Sequence, residues 1–202
     1  MKQEDKNLFP VFEEMLSRES KEHLLKQHGV VIWMTGLSGS GKTTIGKELE
    51  KKLFSEGVLT TLLDGDNVRT GINNNLGFSL EDREENIRRI AETAKLFVES
   101  GLVTICCFVS PLKSIRAQAR QIVGENDFIE VFVNTPLDVC EKRDVKGLYQ
   151  KARSGKITNF TGVDSPFEAP DSNHIEIRTT NRTVQESVSE LYDIINHKIK
   201  LA

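Results

Sequence analysis

Residues 30–43 read Val-Val-Ile-Trp-Met-Thr-Gly-Leu-Ser-Gly-Ser-Gly-Lys-Thr, and this stretch decides the fold. Its first part, residues 30–34, is a short apolar run of the kind that forms a strand buried on both faces. The run ends at a turn that begins with Gly36, and a helical pattern starts at Lys42. We therefore expect a strand, a glycine-rich turn and a helix in that order.

The segment from Gly36 to Thr43 fits the phosphate-loop pattern, in which glycines let successive backbone N–H groups turn toward phosphate oxygens. The N-terminus of the following helix adds positive potential. In this motif Lys42 reaches the β- and γ-phosphates, and Thr43 offers its hydroxyl to magnesium. A glycine-rich turn without a ligand is the alternative, but the spacing, the lysine and the flanking elements all favour nucleotide binding. The motif is silent about a second substrate.

Further apolar runs recur along the chain, and helical patterns fill the intervals between them. The runs cover residues 59–63, 103–109 and 128–133, with a weaker one at 175–177. Strands that alternate with helices predict an α/β fold of the P-loop NTPase type, with a mainly parallel central sheet and helices on both faces. The segment 146–173 lacks clear periodicity, and a loop of that length usually forms a lid or a binding loop. We place this lid at about residues 144–170.

Residues 1–28 are charged and form a lead-in before a single domain that covers residues 29–202. Apolar positions in the lead-in predict a short amphipathic helix, and they are Phe12, Met15, Leu16, Leu24 and Leu25. Capping-box spacings mark three helix starts, namely Ser79 with Asp82, Thr135 with Asp138 and Thr183 with Glu186. Pro136 suits a first helical position, and Gly101 suits a helix stop.

Composition narrows the class of protein. A chain of 202 residues suits one domain, and a net charge of -3 argues against a protein that coats nucleic acid. The first ten residues have no apolar stretch of signal-peptide length, and no run of about 18 apolar residues predicts a membrane span. Cys106, Cys107 and Cys140 lack the spacing of a zinc site, so we expect buried free thiols in a reducing compartment. These features predict a cytoplasmic protein with neither nucleic-acid nor membrane partners.

Charged side chains follow the second predicted strand, where residues 63–69 read Leu-Asp-Gly-Asp-Asn-Val-Arg. Open α/β folds bind ligands at the carboxyl edge of the sheet, where this motif is expected to lie. A carboxylate there, from Asp64 or Asp66, can orient a hydroxyl nucleophile or hold magnesium through water, and Arg69 can clamp an anion. Taken alone, Asp-Gly-Asp is also a common turn.

Three more polar residues fall near the same edge. Arg83 and Asn86 are three residues apart at the start of a predicted helix, which places them on one face. Arg83 is either a ligand contact or a solvated helix charge. Ser110 follows the strand predicted at 103–109, and it either meets the ligand or caps the next helix.

Together, these motifs resemble the adenylyl-sulfate kinase family. The likeness is carried in the family's order by the phosphate loop, by residues 63–69, by Leu-Gly-Phe-Ser at 76–79, by Arg83 and Asn86, by Phe-Val-Ser-Pro at 108–111, by Lys-Gly-Leu-Tyr at 146–149, by Asn-Phe-Thr-Gly at 159–162 and by Glu-Ala-Pro at 168–170. It runs from about Gly29 to the C-terminus. The chain departs from the family pattern before Gly29 and at Val145, where a proline usually precedes the lid lysine.

The resemblance implies transfer of the γ-phosphoryl group of ATP, with Mg²⁺, to the 3′-hydroxyl of adenylyl sulfate, giving 3′-phosphoadenylyl sulfate (PAPS) and ADP. The implied ATP contacts are Gly36, Leu37, Ser38, Gly39, Ser40, Gly41, Lys42, Thr43, Thr44 and Arg143. The implied adenylyl-sulfate contacts are Asp66, Arg69, Phe78, Arg83, Asn86, Val109, Ser110, Lys146 and Phe160. The implied catalytic residues are Lys42, Asp66 and Ser110, and Thr43 and Asp66 are the implied magnesium contacts. A homodimer completes the expectation.

Individual roles follow from the same resemblance. Phe78 and Phe160 would sandwich the substrate adenine, whereas Arg69 and Arg83 would hold the phosphosulfate and nucleotide together with Asn86. Lys146 would belong to the mobile lid. Ser110 matches a family position described as a phosphoserine site, but direct in-line transfer needs no phosphoenzyme.

Two other functions remain open at this stage. One is a different phosphate-loop kinase that acts on a nucleoside or small metabolite. Whether adenylyl sulfate alone stimulates ADP release distinguishes this kinase from an adenylyl-sulfate kinase. A nucleotide-dependent switch would keep the loop and bind protein through the lid region. The sequence has no Asn-Lys-x-Asp guanine signature, which weakens a GTPase switch specifically.

Overall fold

The structure is a computed structural model that describes residues 7–201; residues 1–6 of the predicted lead-in and residue 202 lie outside the described residues. The strands are β1 Val30–Thr35, β2 Thr60–Asp64, β3 Val103–Cys107, β4 Phe128–Asn134 and β5 Ile175–Arg178. They form one sheet in the order β2-β3-β1-β4-β5, and every neighbouring pair is parallel. The predicted α/β fold with a parallel sheet is confirmed.

Helices fill the intervals between the strands. They are α1 Arg18–Leu25, α2 Lys42–Ser55, α3 Gly65–Arg69, α4 Leu80–Val98, α5 Lys113–Val123, α6 Leu137–Arg143, α7 Leu148–Arg153 and α8 Val184–Ile199, with a short 3₁₀ helix at Phe12–Glu14. No helix in residues 7–201 is long and apolar enough to cross a membrane.

The central strand β1 separates two hydrophobic cores, because successive side chains of a strand point to opposite faces. Ile32 and Met34 pack in a core with α2 and α8. Val31 and Trp33 pack in a second core with α4 and α5. Every residue of β1 is buried, which agrees with the uninterrupted apolar run that predicts a strand covered on both faces.

The two cores also explain where a ligand site can form. Helix α2 follows β1 on one face of the sheet, and α5 follows the neighbouring strand β3 on the other face. The loops after these strands therefore diverge and open a crevice at their carboxyl ends. This is the position at which open α/β sheets bind ligands.

The lead-in differs from the amphipathic helix that its pattern predicts. Its α-helix covers only Arg18–Leu25. Four of the five residues predicted to form an apolar face are exposed, namely Phe12, Met15, Leu16 and Leu24, so that prediction is wrong for them. Polar contacts fix α1 instead. Arg18 donates to Glu22 and to both carboxylate oxygens of Asp127, at 2.6 to 2.8 Å. The domain boundary at residue 28 stays a prediction.

Two of the three predicted caps are confirmed. The hydroxyl of Ser79 accepts from the Asp82 N–H, and Thr183 forms a reciprocal capping box with Glu186. The third, with Thr135 as the N-cap, is wrong. The N-cap of α6 is Pro136, and the first helical residue is Leu137, one position later than the pattern predicts. The side chain of Thr135 instead donates to the Ser40 carbonyl, 3.0 Å away, so it supports the phosphate loop.

Candidate active site

A cavity of about 620 Å³ opens at the carboxyl ends of the strands. Its wall combines the phosphate loop, the residues after β2 and β3, part of the predicted lid and the start of α8. The predicted site residues in this wall are Ser38, Gly39, Ser40, Gly41, Lys42, Thr43, Thr44, Asp66, Phe78, Arg83, Val109, Arg143, Lys146 and Phe160. Those outside it are Gly36, Leu37, Arg69, Asn86 and Ser110.

The phosphate loop depends on glycine at its start. Gly36 has a φ of 148°, and a Cβ there would lie only 2.6 Å from the Val133 carbonyl oxygen of β4. Arg143, from the end of α6, donates to the carbonyls of Gly39 and Ser40 at 3.2 and 3.3 Å. Carbonyls held on the outside of the loop leave its N–H groups for the concave side, where a phosphate binds.

Lys42 lies against this loop, and no carboxylate among residues 7–201 forms an ion pair with it. Its Nζ donates to the carbonyls of Gly36 and Leu37, both at 2.8 Å. Because burial disfavours the charged form, the pKa of Lys42 is lowered to about 8. A bound phosphate would supply the negative charge that this position lacks.

Thr43 and two aspartates form a cluster of oxygen donors beside Lys42. The Thr43 hydroxyl donates to Asp64 Oδ2 at 2.7 Å, and Asp64 Oδ1 accepts from the Asp66 N–H at 3.0 Å. Asp64 is buried, whereas Asp66 is exposed and forms an ion pair with Lys146 of the predicted lid. The expectation for magnesium named Thr43 and Asp66 and left out Asp64, although Asp64 belongs to the same Asp-Gly-Asp motif.

Oxygen donors of this kind fit magnesium, which prefers carboxylates and hydroxyls together with phosphate oxygens and water. Within residues 7–201 no group of three or more His, Cys, Asp or Glu side chains is arranged to hold a metal ion. A magnesium ion here would therefore be held by Thr43, Asp64 or Asp66 together with nucleotide phosphates, not by a protein cage.

Phe78 and Phe160 also line the cavity. Arg83 links their loops, because its Nε donates to the Phe78 carbonyl at 3.0 Å and its Nη1 to the Thr161 hydroxyl at 3.1 Å. The guanidinium of Arg69 stacks on the Phe78 ring, 4.4 Å from its centroid. Phe78 is therefore oriented by two arginines, only one of which lines the cavity.

Arg69 and Asn86 sit behind the wall, not in it. Arg69 Nη1 donates to the carbonyls of Leu76 and Gly77 at 3.0 and 2.8 Å. Asn86 is buried, and its Oδ1 accepts from Asn73 Nδ2 at 3.0 Å. Both side chains therefore stabilise the loop that leads to Phe78, through hydrogen bonds to residues 73–77.

Ser110 is also set apart from the cavity. It is only 2% exposed, its φ is 36°, and its hydroxyl accepts from the indole N–H of Trp33 at 3.1 Å. The neighbouring Val109 does line the cavity. This placement favours a structural contact for the Ser110 hydroxyl over a covalent one.

Several residues of the wall are not among the predicted site residues. They include Asp64, Tyr149, Thr179 and residues at the start of α8, namely Arg182, Thr183, Val184 and Ser187. The Thr183 cap predicts the start of a helix but not its location. That location depends on β5 pairing with β4, which brings the start of α8 beside the phosphate loop.

Comparison with known proteins agrees with this geometry. The family model described as "Adenylylsulphate kinase" matches residues 28–178. An adenylyl-sulfate kinase of Bacteroides fragilis is 58% identical over 193 residues, which cover 96% of each chain. One of Bacteroides thetaiotaomicron is 56% identical over 198 residues, which cover 98% of each chain. A solved APS kinase of Mycobacterium tuberculosis, in complex with AMPPNP and APS, is 44% identical with a TM-score of 0.81, covering 84% of this chain and 98% of that one. The resemblance carried by the motifs is confirmed.

Proposed function

This chain belongs to the adenylylsulphate kinase family, and from that premise we propose that it transfers the γ-phosphoryl group of ATP to the 3′-hydroxyl of adenylyl sulfate. The products are PAPS and ADP. One observation carries the proposal: a single cavity is lined both by Lys42 of the phosphate loop and by two aromatic rings, Phe78 and Phe160. A phosphoryl donor and a purine-bearing acceptor can thus meet in one space.

On the donor side, where ATP binds, the β- and γ-phosphates are held by Lys42 and by the N–H groups on the concave side of the phosphate loop. The ammonium exchanges two neutral carbonyl partners for phosphate charge when ATP binds. Thr43, Asp64 and Asp66 would hold magnesium, which when bound would neutralise negative charge on the phosphates. Arg143 keeps the loop carbonyls turned away from the nucleotide.

On the acceptor side, the rings of Phe78 and Phe160 sandwich the adenine, and Arg83 binds the phosphosulfate or positions the two loops. Asp66 orients the 3′-hydroxyl and accepts its proton as the new oxygen–phosphorus bond forms and ADP leaves. Lys146 pairs with Asp66 in this structure, and binding of adenylyl sulfate offers it an anionic partner of its own. Transfer is direct, and Ser110 forms no phosphoenzyme.

We also propose a homodimer and a cytoplasmic location. Exposed apolar side chains near the N-terminus support a self-interface, and they are Leu8, Phe9, Val11, Phe12, Met15 and Leu16. The three cysteines are buried free thiols, as expected in a reducing compartment.

A coupled ADP-release assay with Mg-ATP and a panel of acceptors tests the proposed function. We expect adenylyl sulfate to stimulate ADP release, and nucleosides or sugars to leave it at the background rate. Release with another acceptor and none with adenylyl sulfate would point to a different small-molecule kinase. Capture of a protein that depends on the nucleotide state, without turnover, would point to a switch.

A further inference from the structure

Tyr149 contacts both halves of the cavity from one position in α7. The residue is only 3% exposed. Its hydroxyl donates to the carbonyl of Ser38 in the phosphate loop at 2.9 Å. Its ring meets Phe160 edge-on, with centroids 5.0 Å apart and planes at 83°. One side chain therefore joins the loop that faces the donor phosphates to a ring on the acceptor side.

The backbone of Tyr149 is itself held in place. The carboxylate of Asp144 accepts from the N–H groups of Tyr149 and Gln150, each at 3.0 Å, and so caps the start of α7. Asp144 follows α6, which also carries Arg143. The same short segment thus supplies the donors to three successive loop carbonyls, those of Ser38, Gly39 and Ser40.

The chemistry of the contact fixes its direction. A carbonyl oxygen can only accept, so the phenol must donate to Ser38. Burial raises the pKa of Tyr149, which keeps the phenol protonated at neutral pH. The ring contact with Phe160 has the edge-to-face geometry that aromatic pairs prefer.

We propose that Tyr149 is a positioning residue that holds the phosphate loop and Phe160 in one fixed arrangement, its hydroxyl acting on the donor side and its ring on the acceptor side. The inference rests on the proposed function, because it assigns ATP and adenylyl sulfate to these two sides. It predicts that substitutions can separate the effect of the Tyr149 hydroxyl on ATP binding from the effect of its ring on adenylyl-sulfate binding.

Two variants perform that separation. Tyr149→Phe removes the donor to Ser38 and keeps the ring against Phe160, whereas Tyr149→Leu removes both contacts. Tyr192→Phe is the matched control, since the chain has two tyrosines and the Tyr192 hydroxyl pairs with Glu56 of the α2 C-cap, outside the cavity wall. Calorimetry measures binding of a non-hydrolysable ATP analogue to each free enzyme. It then measures binding of adenylyl sulfate to the enzyme saturated with that analogue.

We expect Tyr149→Phe to weaken the ATP analogue by roughly three- to tenfold, as for loss of one hydrogen bond, and to leave adenylyl-sulfate affinity within about twofold. Tyr149→Leu should weaken both ligands by at least about threefold, as expected for losing the aromatic contact as well. Tyr192→Phe should change neither. Melting temperatures show whether each variant is folded. If Tyr149→Leu does not fold, the titrations of Tyr149→Phe decide the inference.

The inference is overturned if Tyr149→Phe matches Tyr192→Phe in the titration of the ATP analogue. It is also overturned if a folded Tyr149→Leu binds adenylyl sulfate as the wild type does. Failure of the proposed function gives a different result, because then the wild type itself binds no adenylyl sulfate. The titration of the ATP analogue still decides the role of the hydroxyl in that case.

Discussion

Lys42 is a buried cation whose hydrogen-bond partners are carbonyl oxygens, so its contribution to turnover should come from its charge on the bound phosphates. Electrostatic donors at a reacting centre are worth about 3 kcal/mol. We expect Lys42→Met to lower kcat at least ~100-fold without lowering the melting temperature, because burial of the Lys42 charge disfavours the folded state at neutral pH. Lys47→Met is the control, because Lys47 lies on the same helix and is exposed. Turnover near the wild-type rate in Lys42→Met would contradict the assignment of the phosphate loop.

The lowered pKa of Lys42 gives a second, pH-dependent prediction. In the folded protein the side chain loses its proton near pH 8, whereas the ordinary value is 10.5. Between these values the unfolded chain binds more protons than the folded one, so Lys42 makes the free energy of unfolding rise with pH. Affinity for an ATP analogue should do the opposite and fall above pH 8, since the neutral amine attracts phosphate less.

Calorimetric titration of the ATP analogue between pH 7 and pH 9 checks this expectation around the pKa of about 8. The fall in affinity should be absent from Lys42→Met. An equal fall in both proteins would assign the titration to another group.

Ser110→Ala separates a covalent role from a structural one. The substitution removes the acceptor of the buried Trp33 indole N–H, and an unpaired buried donor costs about 1 to 3 kcal/mol. We expect that loss in free energy of unfolding, together with substantial residual turnover. Trp33 is the only tryptophan, so its fluorescence reports the change directly. Loss of all turnover in a folded variant, with phosphate trapped on wild-type Ser110, would establish the covalent role. Ser55→Ala, at an exposed helix end, is the control.

Residues differ in how far sequence reveals their roles. The phosphate loop could be predicted because its function depends on backbone conformation and on adjacent residues, all of which the sequence displays. Asp64 and Asp66 are two residues apart, yet only the structure separates a buried partner of Thr43 from an exposed partner of Lys146. That distinction depends on burial, which no local pattern contains.

At the scale of elements, Arg116 of α5 joins three parts of the molecule. Its guanidinium donates to Glu130 of β4, to the Ser110 carbonyl and to the Glu168 carbonyl, at 2.7 to 2.8 Å. Arg116 and Glu130 are both buried. These contacts tie the loop after β3 and the end of the predicted lid to β4 through one side chain.

Arg116→Met should therefore lower the free energy of unfolding by about 3 kcal/mol or more, because it leaves Glu130 buried with a weaker set of partners. Arg120 also donates to Glu130 and limits the loss. Urea unfolding measures the effect. Arg178→Met is the control, since its pair with Glu176 lies at the surface and should change stability by less than about 1 kcal/mol. Equal effects of the two substitutions would show that the buried pair has no special weight.

The elements themselves were predicted well where their signal is periodic. All five strands lie where apolar runs predict them, although β3 ends at Cys107 and not at Val109. Beyond Cys107 the chain turns toward α5 and reaches a positive φ at Ser110. Thr135 matches a capping pattern, but its hydroxyl donates to the Ser40 carbonyl instead. This is a tertiary contact, which spacing in the sequence cannot reveal.

For the whole molecule, alternation of strands and helices predicts the layers but not which loops meet. Residues 7–17 show the limit most clearly. The apolar spacing of Phe12, Met15 and Leu16 predicts one face of an amphipathic helix, but Phe12 is 79% exposed in the isolated chain, and the neighbouring Phe9 is 84% exposed. A periodic pattern records that apolar residues need burial and does not say which surface provides it.

That observation leads to a prediction about assembly. Clustered exposed apolar side chains mark interaction sites, and burial of such surface is worth about 25 cal/mol per Å². We expect the protein to be a homodimer by sedimentation velocity, and Phe9→Glu combined with Phe12→Glu to make it monomeric, because charges at both positions oppose burial. Phe54→Glu is the control, since Phe54 is 71% exposed on α2 and lies outside this segment. A monomeric wild type would contradict the prediction of a homodimer. A dimer that survives both charges would place the self-interface outside this segment. Residues 8–16 would then need another partner to account for their apolar spacing.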